Sequence, residues 1–112
     1  MTQPGPDVSV QQAADAAAAE LVLLVDVREQ DEWAAGHAPG AVHIPLSVLG
    51  AAYVPTDRPV VVVCRSGNRS GVAAAQLAQA GVEVANMAGG MTAWAAAGLP
   101  VVTSDGSPGE IT

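Results

Sequence analysis

Hydrophobic positions along this chain fall into short runs, and two kinds of run alternate. Leu21 to Val27 (LVLLVDV) is almost continuously apolar, the pattern of a strand buried on both faces. Pro59 to Cys64 (PVVVVC) is a second such run, and its β-branched residues suit a central position in a parallel sheet. Shorter strands are predicted at Val8–Val10, at Ala41–Ile44 before Pro45, and at Val82–Ala85. Between them lie alanine-rich stretches with helical character. These are Gln11–Ala19, Glu29–Ala35 closed by Gly36, Ser70–Ala80 stopped by Gly81, and Met91–Ala97 closed by Gly98, with a further helical turn at Ser47–Ala52. Strands alternating with helices predict an α/β domain around a mainly parallel sheet. Residues 1–7 and 103–112 are rich in Pro, Gly, Ser and Asp. One domain is therefore expected over 8–100, with flexible termini at 1–7 and 101–112.

Composition narrows the picture. A chain of 112 residues fits one domain with one core. It has no Phe and draws its apolar half from Ala and Val, so its contacts are expected to be small and close. No apolar run approaches the ~20 residues needed to span a bilayer. Met1–Val10 carries neither a basic residue nor an apolar core of the kind that directs secretion, so a cytoplasmic location and no membrane partner are expected. The formal charge of −7, without a single Lys, argues against nucleic acid as a partner. One Cys excludes an internal disulfide and a Cys-x-x-Cys pair, and with two His it argues against a zinc site. No metal or cofactor is expected.

Attention then falls on Cys64-Arg65-Ser66-Gly67-Asn68-Arg69-Ser70, which joins the best strand to a helix. Ligands of open α/β sheets bind beyond the carboxyl ends of strands, where Cys64 is predicted to sit. A loop entering a helix offers unpaired amides and the positive end of the helix dipole. Gly67 permits a sharp turn, and successive N–H groups around it form an anion nest. Two of the four arginines, Arg65 and Arg69, fall in these seven residues. At least one is expected to contact an anion. A thiolate in such surroundings is stabilised, so the Cys64 pKa is expected to be depressed.

The motifs occur in an order that resembles the rhodanese family. Asp26-Val27-Arg28-Glu29 with Trp33 comes first, then Gly36-His37-Ala38-Pro39-Gly40-Ala41 and Ile44-Pro45. The CRSGNRS loop follows, and Ala88-Gly89-Gly90-Met91 with Trp94 comes last. Each motif alone is weak, but four in order around one strand-end cysteine are specific. The likeness runs from about Val8 to Pro100 and is to the short, single-domain members. It implies a five-stranded, mostly parallel sheet flanked by helices. It also implies Cys64 as nucleophile and sulfur carrier, with the amides of Arg65 to Arg69 as the cradle. The expected chemistry is sulfur transfer. Cys64 would take the outer sulfur of a small donor anion such as thiosulfate, then surrender it from the persulfide. The chain has no second cysteine, so the acceptor would be an external thiol, a protein or cyanide.

Other residues receive plainer readings. Asp26 and Arg28 end a buried strand and are expected to support the site through an ion pair or loop-bracing hydrogen bonds. His37 and His43 are expected to be structural or surface residues, since an ionised thiolate needs no general base. Trp33 and Trp94 are expected in the core. Met87 and Met91 are read as core filling, and Glu29, Asp31 and Glu32 as the acidic first turn of a helix. Two other functions remain in view. A cysteine-dependent phosphatase or arsenate reductase typically has five residues between Cys and Arg, whereas four separate Cys64 from Arg69, and Val63 precedes the cysteine. A non-catalytic or partner-specific sulfur-relay module is the other, though domains of that kind can lack the cysteine that is present here.

Overall fold

The computed structural model describes residues 7–49, 54 and 57–112. Among these, strands and helices alternate as β1 (Asp7–Val8), α1 (Val10–Ala18), β2 (Leu23–Asp26), α2 (Gln30–Ala35), β3 (Val42–His43), β4 (Val60–Val63), α3 (Asn68–Gln79), β5 (Val84–Met87) and α4 (Gly90–Ala96). A 3-10 turn at Leu46–Val48 follows β3. It overlaps the start of the turn expected at Ser47–Ala52, whose residues 50–52 lie outside the described residues. The five strands form one sheet in the order β1-β5-β4-β2-β3. Every pairing is parallel.

The uninterrupted apolar runs of β2 and β4 have a simple cause. They are adjacent at the centre of the sheet, and both faces are covered. Leu23, Val25, Val27, Val60, Val62 and Cys64 pack with Ala73, Ala74 and Leu77 of α3. Leu24, Val61 and Val63 pack on the other side with Ala13 of α1 and Met87, Met91 and Trp94. The alternation is that of a pleated strand, whose successive side chains point to opposite faces. Burying each of these Leu and Val side chains is worth about 1.5–3 kcal/mol before the entropy of ordering is deducted.

Local boundaries differ from the expectation where side chains cap or terminate elements. Ser9 was expected within a strand, but it caps α1. Its hydroxyl accepts the Gln12 N–H, and the Gln12 side chain accepts the Ser9 N–H, a reciprocal capping box. Leu21 was expected to open β2, but its N–H is used by the Ala16 carbonyl as α1 ends, and its side chain is exposed.

The larger difference is at the C-terminal side, where residues 101–112 were expected to be flexible. Val102 bridges to His37 and to Pro108, the Gly109 N–H donates to Val101 and the Glu110 N–H donates to Ala35. Ile111 packs against the core of the α1/α4 face. Gly109 lies so close to Gly36 that a Cβ on Gly109 would stand 2.8 Å from the Gly36 Cα. A polar, Gly-rich composition therefore coexists with a fixed path, because backbone groups and two glycines supply the contacts. Residues 1–6 of the expected N-terminal tail lie outside the described residues, while Asp7 pairs with Asn86 in the sheet.

Candidate active site around Cys64

β4 delivers Cys64 to the carboxyl edge of the sheet, and residues 65–67 turn the chain into α3. Gly67 makes the turn in the left-handed region, at φ +98°, where a Cβ would be strained. The turn aims donors back at the sulfur. Cys64 Sγ accepts the Gly67 N–H at 3.1 Å, the Ser70 N–H at 3.3 Å and the Ser70 hydroxyl at 3.3 Å. Burial of Cys64 pushes its thiol up. The Ser70 hydroxyl and the amides of Ser70, Gly67 and Ser66 together outweigh that, and hold it below its ordinary value. The expected depression is present, but its source is hydrogen bonding to sulfur.

The hydroxyl of Ser70 is shared. It lies 2.5 Å from Asn86 Oδ1, while Asn86 Nδ2 faces the Gly67 carbonyl and Asp7 Oδ1, both at 3.3 Å. Two acceptors on its amide nitrogen fix which way Asn86 points, and so make Oδ1 the acceptor for Ser70. Asn86 was not singled out in the sequence. Its one visible signal is a polar residue inside an otherwise apolar strand.

Neither loop arginine is idle. Arg69 donates to both carboxylate oxygens of Glu32 at 2.8 and 2.9 Å. That pair holds Glu32 at about 2, well below the usual carboxylate range, chiefly through the hydrogen bond from Arg69. The same carboxylate keeps Arg69 more firmly protonated than usual, with smaller contributions from Cys64 and Glu29. Glu32 Oε1 also accepts the Glu29 N–H at 3.0 Å, so the carboxylate is fixed at the start of α2. Glu32 is thus a partner of the active loop as well as an acidic first-turn residue. Arg65 Nε donates to a main-chain oxygen of Thr112, the last residue of the sequence, at 2.7 Å. Ser66 and Asn68 are exposed on the loop.

Asp26 and Arg28 form the expected ion pair, entirely buried. The carboxylate accepts the Arg28 backbone N–H at 3.0 Å and Nη2 at 2.8 Å, and Nη2 also donates to the Gly36 carbonyl at 2.7 Å. The Arg28 carbonyl in turn lies 2.8 Å from His43 Nε2. One residue thereby ties the end of β2 to β3 and to the end of α2, the helix that carries Glu32. His37 Nδ1 lies 2.8 Å from the Trp33 carbonyl. Trp33 does not join the core. It is partly buried and stacks on His37 at 3.6 Å and on His43 at 4.8 Å. Trp94 is buried and donates to the Pro100 carbonyl. Met87 and Met91 are buried in the core as expected.

The Gly89-Gly90 pair closes the site from α4. Met91 N–H donates to the Cys64 carbonyl at 2.8 Å and Thr92 N–H to the Arg65 carbonyl at 2.9 Å. A Cβ on Gly90 would stand 2.5 Å from the Cys64 carbonyl oxygen. Glycine is what allows α4 to seat against the strand-to-loop junction. Among the described residues no group of three or more His, Cys, Asp or Glu gathers as metal ligands. No helix there is long and apolar enough to cross a membrane.

A buried strand-end thiol, ringed by amides and a hydroxyl and followed by a helix, thus stands at the carboxyl edge of the sheet. The family model of the rhodanese-like domain matches residues 9–97, and the chain belongs to that family. It is 46% identical over 90 residues to a protein of Allochromatium vinosum named "Sulfurtransferase", a match covering 78% of this chain and 84% of that one. It is 42% identical over 92 residues to an uncharacterized protein of Synechocystis, covering 80% of this chain and 51% of that protein. Among solved structures, a rhodanese-related protein from Thermoplasma volcanium superposes with a TM-score of 0.81 at 28% identity. That match covers 87% of this chain and 97% of the other.

Proposed function

We propose that this protein is a sulfurtransferase in which Cys64 carries sulfane sulfur as a persulfide. The observation that carries the reading is the donor set on Cys64 Sγ, two amides and one hydroxyl within 3.3 Å. Such a set favours the thiolate, which is the attacking form in exchange at sulfur. The name of the Allochromatium relative supports the same activity.

In the first step the Cys64 thiolate attacks the outer sulfur of a sulfane donor such as thiosulfate. The new bond joins Cys64 Sγ to that sulfur, the donor's S–S bond breaks, and the electron pair leaves with sulfite. The transferred sulfur is left as the terminal, anionic atom of a Cys64 persulfide. Amides of the 65–70 loop suit that charge as they suit the thiolate. In the second step a nucleophile such as cyanide or an external thiol attacks the terminal sulfur and returns Cys64 as thiolate. Charge and atoms balance in both steps without an added oxidant. Cys64 has no solvent-exposed surface, so the loop must yield slightly for a donor to reach the sulfur.

Intact-protein mass spectrometry after incubation with thiosulfate tests the proposal. The expected result is a gain of one sulfur, about 32 Da, removed by cyanide and lost in Cys64→Ser. A folded Cys64→Ser variant that still transfers sulfur would overturn it.

A further inference from the structure

Ser70 carries one hydroxyl proton, and two acceptors stand within reach of it. Cys64 Sγ lies 3.3 Å from Ser70 Oγ, and Asn86 Oδ1 lies 2.5 Å from it. Asn86 is buried in β5, and its amide is pinned at the other end, where Nδ2 faces the Gly67 carbonyl and Asp7 Oδ1. Oδ1 cannot turn away from Ser70 without giving up both of those contacts. A proton given to Oδ1 leaves a lone pair of Ser70 Oγ toward the sulfur, which suits a thiol that donates its own S–H. A proton given to Sγ suits the thiolate, but sets two oxygens against each other at 2.5 Å with no proton between them. The two acceptors therefore compete, and the shorter contact favours Asn86.

We infer that Asn86 is a positioning residue that draws the Ser70 hydroxyl proton away from Cys64 and so withholds part of the stabilisation the loop can give the thiolate. This rests on the sulfurtransferase reading and names a further residue for the same site. The consequence is reactivity, because a less stabilised thiolate is the stronger nucleophile toward sulfur. The charged groups around Cys64 do not produce this contest. Arg69 of α3 is bound at two points by Glu32 of α2, with Glu29 at the start of that helix. Arg28 closes on Asp26, Arg65 belongs to the loop, Asp7 of β1 meets the far end of the Asn86 amide, and α4 carries no charged residue. Among the described residues none of these groups hydrogen-bonds Cys64 Sγ or the Ser70 hydroxyl. All are retained in the variants that test the inference.

The test is the pH profile of Cys64 alkylation by iodoacetamide in the wild type, Asn86→Val, Ser70→Ala and the double variant. Valine suits a strand and removes the competing oxygen. Any loosening of the loop through loss of the Gly67 contact acts in both Ser70 backgrounds, so the difference between backgrounds isolates the contest for the proton. Asn86→Val should raise the ionisation constant of Cys64 about fivefold more with Ser70 present than in the Ser70→Ala background. That lies within the roughly tenfold span between weak and strong hydrogen bonds to a charged acceptor. With Ser70 present, the alkylation rate above the midpoint should fall about twofold, as nucleophilicity follows basicity. An equal effect of Asn86→Val in the two backgrounds overturns the inference, as does a difference of opposite sign. If circular dichroism shows Asn86→Val unfolded, Asn86→Ala gives the same comparison. Alkylation needs no sulfur donor, so this result is read independently of whether Cys64 loads with sulfur, the outcome on which the sulfurtransferase reading stands.

Discussion

Ser70 occupies two roles at once, and replacing it with alanine separates them. Its hydroxyl is one of three donors to Cys64 Sγ, while its backbone N–H is another. Ser70→Ala deletes the first and leaves the second, with the methyl group still filling the buried position at the start of α3. A hydrogen bond to a charged acceptor is worth about 1.5–3 kcal/mol. The lower end applies here, because the one hydroxyl proton is also claimed by Asn86 Oδ1 at 2.5 Å. A loss of about 1.4 kcal/mol from the thiolate form alone is a factor of about ten in its population, at any pH below the thiol midpoint. The assay is the rate of iodoacetamide alkylation against pH, with thermal melting to verify the fold. The expected Ser70→Ala profile is displaced to higher pH, with a rate on its low-pH limb about tenfold below wild type. Alkylation at high pH, where both proteins are fully ionised, should be unchanged or faster, since a less stabilised thiolate is more nucleophilic. A profile superposable on wild type would refute the assignment of the hydroxyl as a sulfur donor. The amides of the loop would then be the sole source of the depressed pKa.

Arg28→Met should destabilise the fold by about 3–5 kcal/mol, because it strands a buried Asp26 carboxylate. Chemical denaturation measures this, and adding Asp26→Leu to Arg28→Met should recover a large part of the loss. Gly90→Ala should cost more than Gly40→Ala, although both positions have positive φ. At Gly40 the added methyl meets nothing within 4 Å, so only the backbone penalty of about 1–2 kcal/mol applies. At Gly90 it collides with the Cys64 and Arg65 backbone. Sulfur loading should therefore fall in Gly90→Ala and persist in Gly40→Ala. Equal stability and loading in the two variants would count against α4 seating on the loop.

Features that depend on neighbours along the chain could be read from residue order. Continuous apolar runs marked β2 and β4 as strands covered on both faces, and the alternation of runs implied the parallel α/β sheet. The order CRSGNRS placed a thiol, a glycine turn and a helix start within seven residues, so the amides that face Cys64 Sγ come from its own loop. The same locality made the Asp26–Arg28 pair legible, two residues apart. Tertiary structure alone decided the rest. Glu32 and Arg69 are 37 residues apart, Ser70 and Asn86 are 16 apart, and Arg65 reaches a main-chain oxygen 47 residues away. No spacing rule links such positions, because their distance is set by how β2, β4 and β5 lie side by side. For the same reason Ser9 passed for a strand residue, Trp33 for core, and residues 101–112 for a frayed tail. A polar or aromatic side chain states what it can bond to, and only the packed fold determines which partner comes within about 3 Å.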